Sequence, residues 1–308
     1  MYVLSFVLNA IVVSALSPLA VGLIRTLKAR IQVRVGADPF QPYRDLSKLF
    51  RKDEVISEDA SWIFTASPYI VFGTTLALAA GVPILSSALT FAPLSDMLVF
   101  VYMLAVGTFF LALSGIDAGS GFGGFGASRE MTIAALTEGG LILSLAALAL
   151  LTGSSMFLTM ASVTMTLPLA KVLPLIIAAA AFFIALLAEN ARYPVDNPAT
   201  HLELTMVHEA MLLEHSGKGL ALMEWSASNK LLIFTAIFVN VFLPWGSPTS
   251  PGLAALFVGA IWFALKTLAV LAGIACIESG MAKFRIFRVP DLLFTSFVLS
   301  VIAIVLTV

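Results

Sequence analysis

The chain has 308 residues, of which 60% are hydrophobic and only 11% are charged, with a mean hydropathy of +1.02 and a net charge of −1. A water-soluble domain of this length could not bury so much apolar surface in one core. One cysteine and three histidines cannot hold a Cys-ligated iron-sulfur cluster or a four-ligand zinc site, and no P-loop for ATP is present. We therefore expect an all-α integral membrane protein without a redox centre of its own.

Apolar segments of about 17 to 25 residues, the length that crosses a hydrocarbon layer of about 30 Å as a helix, recur along the chain. Eight transmembrane helices are predicted, near residues 3–24, 63–89, 97–115, 131–152, 172–188, 231–245, 251–277 and 292–308. No separate soluble module interrupts them. We therefore expect a single polytopic membrane domain over residues 1–308.

The positive charges predict the topology. Fifteen of the seventeen Lys and Arg residues lie beside the loops after the first, third, fifth and seventh helices, and the exceptions are Lys171 and Lys266. The positive-inside rule places these loops in the cytoplasm and both termini on the opposite side. The cytoplasmic loops then cover about residues 25–62, 116–130, 189–230 and 278–291. Any partner in water would bind this face.

The first cytoplasmic loop contains a predicted amphipathic helix. Apolar residues repeat there at helical spacing, at Tyr43, Leu46, Leu49 and Phe50. The other face is charged, at Arg44, Asp45, Lys48, Arg51 and Lys52. Such a helix lies on the membrane surface, either as an electrostatic anchor on anionic lipid or as a docking surface for a partner, and composition does not separate the two.

The next cytoplasmic loop, GIDAGSGFGGFGASRE, is rich in glycine. Dense glycine indicates either a flexible connection or a place where the backbone approaches another surface closely. No strand precedes the segment, so it does not match a phosphate-binding fingerprint. We favour a structural role for these glycines.

Several ionisable residues lie inside or at the edge of the predicted helices. They are Asp117, Glu138, Glu189, Glu224, Lys266 and Glu278. A charge at the centre of a bilayer costs about 2.5 to 3.5 kcal/mol on insertion scales, so these side chains should face the protein interior or water. They could form static pairs, for example Glu138 with Lys266, or a chain of titratable groups that passes protons or ions. We favour the titratable chain.

The three histidines do not indicate a metal site. His201, His208 and His215 repeat every seven residues, but HEAMLLEH lacks the HExxH spacing because Leu212 stands where the second histidine would be. Polar surface histidines explain the repeat equally well. We expect no metal ion in this chain.

Four separated motifs resemble the membrane anchor subunit family shared by respiratory complex I and the group 4 membrane-bound nickel-iron hydrogenases. The first loop contributes Lys28, Arg30, Arg34, Gly36, YRDLSKLF and Glu54. The second is GxDxGSxFxxxGASRE, from Gly115 to Glu130, which is similar to the hydrogenase-4 and formate hydrogenlyase branch. The third is Arg129 followed nine residues later by Glu138. The fourth is the loop with Glu189, Arg192, Pro194, Asp196, Glu203 and the EHSG of Glu214–Gly217.

The resemblance implies a coupling subunit of the prokaryotic cytoplasmic (inner) membrane. Its cytoplasmic loops would hold a peripheral arm of iron-sulfur and hydrogenase-like catalytic subunits, which would carry the iron-sulfur clusters and the nickel-iron centre. Antiporter-like membrane subunits and lipid would be the other partners, without nucleic acid. The implied proton pathway is Asp117, Glu138, Glu189, Glu203, Glu214, Glu224, Lys266 and Glu278. The implied docking or quinone-like loop residues are Arg30, Arg34, Arg44, Asp45, Lys48, Arg129, Glu130, Arg192 and Asp196.

Departures from the complex I pattern argue against a quinone site. Acidic residues soon after the proline-aspartate pair are replaced here by Ala199 and His201, and Gly36-Ala37-Asp38 replaces a GPN-like turn. The loop also gains about three residues before the Glu-x-Ser-Gly motif. These changes favour the hydrogenase-like branch. The alternatives are a quinone-site subunit of a complex I-type oxidoreductase and, in another class, a stand-alone ion transporter.

Overall fold

A computed structural model describes residues 2–84, 92–197, 206–246 and 253–307 of the chain. Within these ranges the chain is helical almost throughout, and the described residues form no β-strand beyond one isolated bridge between Asp96 and Met156. Helices satisfy every backbone N–H and C=O group inside a hydrocarbon layer, because each group bonds within its own segment. The predicted all-α class is confirmed.

Eight helices in the described ranges are long and apolar enough to cross a membrane, as predicted. They are α1 (Tyr2–Ile31), α3 (Trp62–Gly81), α4 (Met97–Asp117), α5 (Gly121–Thr152), α7 (Val172–Glu189), α9 (Gly217–Ile237), α10 (Leu253–Gly280) and α11 (Val289–Val305). Three short helices lie between them, namely α2 (Gln41–Phe50), α6 (Phe157–Thr164) and α8 (His208–Leu212).

Local sequence signals explain several helix ends. The Ser61 hydroxyl accepts a hydrogen bond from the Ile63 N–H at 3.1 Å and so caps α3, and the Asp96 carboxylate caps α4 through the Leu98 N–H at 2.8 Å. α5 ends at Gly153, whose φ of 72° is the left-handed conformation that favours glycine. Small polar residues and a glycine thus set these boundaries between apolar segments.

The amphipathic helix predicted in the first loop is α2, and it packs against the bundle. Leu46 is buried, and the Tyr43 hydroxyl donates a hydrogen bond to the Ala15 carbonyl of α1. The Phe50 ring packs edge-on against Trp225 of α9, with 6.1 Å between ring centroids. α2 therefore packs against both α1 and α9.

The glycine-rich segment is helical, which corrects the loop predicted over residues 116–130. α5 begins at Gly121, and at about 1.5 Å per residue its 32 residues span about 48 Å, more than a bilayer core needs. A Cβ atom at Gly123 would lie 2.1 Å from the Gly115 carbonyl oxygen, and one at Gly126 would lie 2.8 Å from the Ala210 Cβ. The close-approach interpretation holds for Gly123 and Gly126, whereas a Cβ atom at Gly121 or Gly124 would meet nothing within 4 Å.

α9 also begins earlier than hydropathy indicated. It starts at Gly217 rather than near residue 231, and it continues as a π-helix over Phe238–Phe242. The loop predicted over residues 189–230 is correspondingly shorter. Lys230, which was counted beside that loop, lies well inside α9.

Buried hydrogen bonds join three of the membrane-spanning helices. The Ser17 hydroxyl of α1 donates to the Asn229 side-chain oxygen of α9 at 2.6 Å. The Asn229 amide nitrogen donates to the Thr75 hydroxyl of α3 at 3.2 Å. Polar side chains between helices are stable in a membrane when they bond one another, because lipid offers no partner. These bonds set the packing of α1, α3 and α9.

Connections on one side of the bundle come together, and we call this side the loop end. Contacts across it join the ends of α1 and α10 through Lys28 and Glu278, and the first loop and α9 through the Val55 backbone and Ser216. The described part of the loop end comprises residues 32–61, 118–120, 190–197, 206–216 and 281–288. The four predicted cytoplasmic loops all contribute to it.

Candidate functional site

A buried ion pair joins α7 to α9 at the loop end. The Lys230 ammonium lies 2.7 Å from the Glu189 carboxylate, and the two side chains are 19% and 5% exposed. Glu189 is the last residue of α7, whereas Lys230 lies more than three turns into α9. A carboxylate so shielded from water requires a positive partner, and Lys230 supplies it.

Two more carboxylates, both on α5, share this electrostatic environment. The charges of Glu189 and Lys230 act on both Glu130 and Glu138. Glu130 and Glu138 are each half-buried. We call Glu130, Glu138, Glu189 and Lys230 the carboxylate cluster. Lys230 binds Glu189 directly, and Glu130 and Glu138 lie within electrostatic reach of that pair.

Lys266 lies elsewhere, and the static Glu138–Lys266 pair, which was the alternative to a titratable chain, does not form. The Lys266 ammonium donates to the Val239 and Leu243 carbonyls at 2.7 and 3.0 Å, and to the Asn240 side-chain oxygen at 3.1 Å. These acceptors lie where the π-helix after α9 ends. A cation satisfies the last carbonyls of a helix, which otherwise lack partners. The structure thus places Lys266 at a helix terminus and apart from Glu138.

A second ion-pair group joins α1, α10 and the loop after α7. Glu278 of α10 is 4% exposed and binds Lys28 at 3.0 Å and Arg192 at 3.2 Å. Burial lowers the pKa of Arg192 from its ordinary value, and the Glu278 carboxylate partly restores it. The Lys28 ammonium also lies 4.6 Å from the centre of the Tyr193 ring. These contacts hold the loop after α7 against the bundle.

Asp196 anchors the same loop at a third point. Its carboxylate forms an ion pair with Lys283 and accepts a hydrogen bond from the Asn197 N–H at 2.8 Å. Asp196 and Arg192 are both buried. Both were predicted as docking or loop residues, and their burial and ion pairs show that they hold the loop after α7 in place.

A cavity opens between these groups and the surface helix. It encloses about 940 Å³ of space without protein atoms, including the part open to solvent. Its lining combines α1, α2, the loop after α7, α8 and α9. Charged residues on its walls are Arg25, Asp45, Glu189, Arg192, Glu209, Glu224 and Lys230, and His208 completes the polar part. The cavity therefore brings both ion-pair groups to one aqueous space.

Two histidines lie near this end of the bundle, and burial lowers the pKa of each. His208 lines the cavity, and burial is the largest cause of its lowered pKa. His215 stacks on the Phe64 ring with 4.1 Å between centroids and lies 3.3 Å from the Ser114 hydroxyl. Its burial lowers the pKa to about 4, so His215 is neutral at pH 7. Within the described ranges no three His, Cys, Asp or Glu side chains come together as a metal site would require.

The remaining predicted pathway residues lie in different surroundings. Asp117 accepts hydrogen bonds from the Ser61 N–H, the Ser61 hydroxyl and the Phe64 N–H, which places it at the N-terminus of α3. Glu214 is exposed on the loop end. Glu224 lines the cavity near Arg25 and Asp45. Glu203, with Ala199 and His201, lies outside the described residues.

The predicted docking residues of the first loop are exposed. Arg30, Arg34, Arg44 and Lys48 all face solvent at the loop end. Arg44 pairs with Asp38 at 2.8 Å on the surface, where such a pair contributes little to stability. Asp45 lines the cavity instead, and Arg129 of α5 donates to the Met206 carbonyl at 3.1 Å.

Sequence reasoning missed the three lysines that bind the buried acids. Lys28, Lys230 and Lys283 each form an ion pair with an acid that is at most 5% exposed, although their positions in the sequence indicate only the topology and, for Lys28, the family motif. A usable signal existed for Lys230. It lies directly before the predicted helix that begins near residue 231, and a buried acid in a neighbouring helix requires a cation at a similar depth.

In the part of the chain that the structure describes, a bundle of eight helices long enough to span a membrane, with buried ion pairs at one end, defines a multi-pass membrane protein. The profile of the NADH dehydrogenase family matches residues 3–308. This chain therefore belongs to that family, whose members are the membrane subunits shared by complex I and the group 4 hydrogenases. The resemblance drawn from the four motifs is confirmed.

Subunits of hydrogenase complexes and of NADH-quinone oxidoreductases both align with most of the chain. Hydrogenase-4 component C of Escherichia coli K12 is 35% identical over 98% of this chain and 95% of its own. Formate hydrogenlyase subunit 4 of the same strain is 32% identical over 99% and 98%. A subunit of the NADH-quinone oxidoreductase of Rubrobacter xylanophilus is 28% identical over 87% and 82%.

A solved structure has the same fold. A chain in the structure of the membrane-bound sulfane sulfur reductase, an archaeal respiratory membrane complex, matches with a TM-score of 0.87. The alignment covers 100% of this chain and 99% of that one at 21% identity. At this identity the likeness establishes the fold alone.

Proposed function

We propose that this chain is the membrane anchor and energy-coupling subunit of a hydrogenase-4 or formate hydrogenlyase-like complex in the prokaryotic cytoplasmic membrane. The loop end faces the cytoplasm, and the peripheral iron-sulfur and nickel-iron subunits attach to it. Both termini lie on the other side of the membrane. The redox cofactors belong to those partners. The 35% and 32% identity to hydrogenase-4 component C and formate hydrogenlyase subunit 4 supports this branch of the family.

One observation carries the coupling role. The cavity at the loop end touches Glu189 and Lys230, and the charges of these two residues act on Glu138 inside the α5 span. A redox event in the attached partner can change the charge or water content of this cavity. Because three acids share one lysine, protonation of one changes the charge balance around the others. The cluster thereby transmits the event toward the membrane interior and the antiporter-like subunits.

Docking depends on the exposed basic residues of the first loop. Arg34 faces solvent at the loop end, so a partner's acidic surface can reach it. Arg34→Ala should lower recovery of the iron-sulfur partners when the membrane chain is purified from its host. Lys171→Ala is the matched control, since Lys171 is exposed at the opposite end of α7. Normal partner recovery and turnover with Arg34→Ala would show that the docking assignment is wrong.

Purification also separates this proposal from a stand-alone ion transporter. An anchor subunit should co-purify with iron-sulfur proteins. A transporter should be stable and move ions as the isolated chain. Reconstitution of the isolated chain into vesicles distinguishes them, because ion flux in the absence of any redox partner contradicts the anchor role.

A quinone-site subunit is the second candidate, and the position of the cavity supports it. The cavity lies between α1, α2 and the loop after α7, where a quinone could enter from the membrane. Seven charged side chains on its walls favour water over a quinone ring. A quinone analogue added to the purified complex decides between the two. Inhibition of turnover supports a quinone site, and insensitivity supports the hydrogenase-like role.

A further inference from the structure

A groove on the loop end lies beside the start of α11, apart from the cavity of the carboxylate cluster. Its floor is apolar and includes the buried side chains of Ile133, Val195, Val207 and Val289. The connection between α10 and α11 forms one wall, and Arg129 and Ile133 of α5 form another. The groove encloses about 950 Å³, including its open part.

The mouth of this groove is basic. Arg129, Lys283 and Arg285 line it. Asp196 offsets the charge of Lys283, and Arg129 donates to the Met206 carbonyl. Arg285 is exposed, and its guanidinium forms no ion pair with any residue in the described ranges. The groove thus presents a positive group at its rim above an apolar floor.

The groove lies at the depth of lipid headgroups. α10 ends at Gly280, and the span that contains α11 begins at Ile286, so the connection between them marks the boundary of the hydrocarbon layer. Phe287 stands 89% exposed at this boundary. Aromatic and basic side chains together are typical of the membrane–water interface.

Apolar surface continues from the groove into the membrane. Phe294, in the second turn of α11, is 65% exposed, and the Phe297 ring stacks against it at 6.1 Å. A diacyl lipid can place its headgroup at Arg285 and its chains along this side of α11. A soluble anion would use the basic rim and leave the apolar surface uncovered.

We infer that this groove binds one anionic phospholipid, with the phosphate at Arg285 and the glycerol region over the floor of Ile133 and Val289. Basic pockets between membrane-spanning helices on the cytoplasmic side suit such headgroups, and each Lys or Arg near the surface strengthens the attraction. This lipid site is independent of the coupling role, since Glu189 and Lys230 of the carboxylate cluster line the other cavity and no member of the cluster lines this groove.

Native mass spectrometry of the full-length chain, purified in detergent and titrated with lipid, tests this site. The probes are dioleoylphosphatidylglycerol, dioleoylphosphatidylcholine with the same chains, and soluble glycerol 3-phosphate. We expect phosphatidylglycerol to bind several-fold tighter than phosphatidylcholine, and Arg285→Gln to weaken it about fivefold. Arg51→Gln is the matched control, because Arg51 is an exposed arginine directly after α2, outside the groove, and its replacement removes the same charge.

Four results would overturn the lipid site. Equal binding of the two lipids, or unchanged binding after Arg285→Gln, would show that Arg285 does not bind an anionic headgroup. Glycerol 3-phosphate binding as tightly as the lipid would show that the rim binds a free phosphate. The same measurement on the chain purified with its partner subunits provides the last test. Lipid bound to the isolated chain and absent from that complex would identify the groove as a protein interface.

Discussion

Lys230 and Glu189 depend on each other because both lie largely out of bulk water, 2.7 Å apart. Moving either charge out of water costs several kcal/mol, and their attraction offsets that cost only while both are present. The same reasoning applies to Glu278, which binds Lys28 and Arg192. Loss of one partner should therefore destabilise the fold more than loss of both.

Lys230→Met should lower the free energy of unfolding by about 3 kcal/mol, because Glu189 is left buried without its cation. Thermal unfolding of the purified chain in detergent measures this. Lys218→Met is the control, since Lys218 is an exposed lysine in the same helix. Adding Glu189→Gln to Lys230→Met should recover part of the loss. Equal effects of Lys230→Met and Lys218→Met would show that the pair is not a stabilising contact.

His215 should make stability depend on pH. Its pKa is about 4 in the folded chain and about 6.5 in an unfolded one, so the unfolded state binds the proton first as pH falls. Stability is therefore lost as pH falls from about 6.5 toward 4, by on the order of 3 kcal/mol. His215→Gln cannot take up this proton and can still reach Ser114. As pH falls from about 6.5 toward 4, the melting temperature of the unmodified chain should fall relative to that of His215→Gln, and parallel curves would contradict the assignment.

At the scale of elements, the importance of each glycine in α5 depends on what a Cβ atom at that position would contact. Gly123 faces the Gly115 carbonyl at a distance that excludes a Cβ atom, whereas a Cβ at Gly124 would meet nothing within 4 Å. Glycine inside a helix costs about 1 kcal/mol relative to alanine, so each glycine retained there needs a packing reason. Gly123 has such a reason and Gly124 does not.

Two substitutions in α5 test this difference. Gly123→Ala should destabilise the chain, because α4 and α5 must move apart near Gly115. Gly124→Ala should be neutral or stabilising by up to about 1 kcal/mol, since alanine favours the helix and finds open space. Thermal unfolding of both variants in detergent makes the comparison. The same change in melting temperature for both would mean that the close approach at Gly123 is not tight.

Hydropathy was sufficient to predict the number of spans, because each apolar run of adequate length can only be stable in lipid as a helix. It could not predict the true starts of α5 and α9. Their first turns are polar or rich in glycine, and contacts distant in sequence, such as Gly126 with Ala210, stabilise them. The acids were found because charge is rare in apolar runs. Hydropathy does not identify Lys230 as the partner of an acid, because a helix that begins near residue 231 leaves Lys230 in the preceding loop, whereas α9 begins at Gly217 and contains it.

At the scale of the whole molecule, the fold links an aqueous surface to a carboxylate within the membrane. The surface helix α2 closes one side of the cavity, and the loop after α7 is held by Glu278 and Lys283 on the other. The carboxylate cluster lies between this cavity and the interior of α5. In the proposed function, a partner that binds the loop end would act on Glu138 through Glu189 and Lys230.

The most direct measurement of this coupling compares ion uptake with redox turnover in inverted membrane vesicles that contain the assembled complex. Glu138→Gln removes the charge and preserves the size of the side chain, and Glu58→Gln, at an exposed carboxylate of the first loop, is the control. We predict that Glu138→Gln retains partner recovery and artificial-dye redox activity but loses proton or sodium uptake per turnover. Uptake per turnover equal to that of the unmodified complex would contradict the coupling role of Glu138.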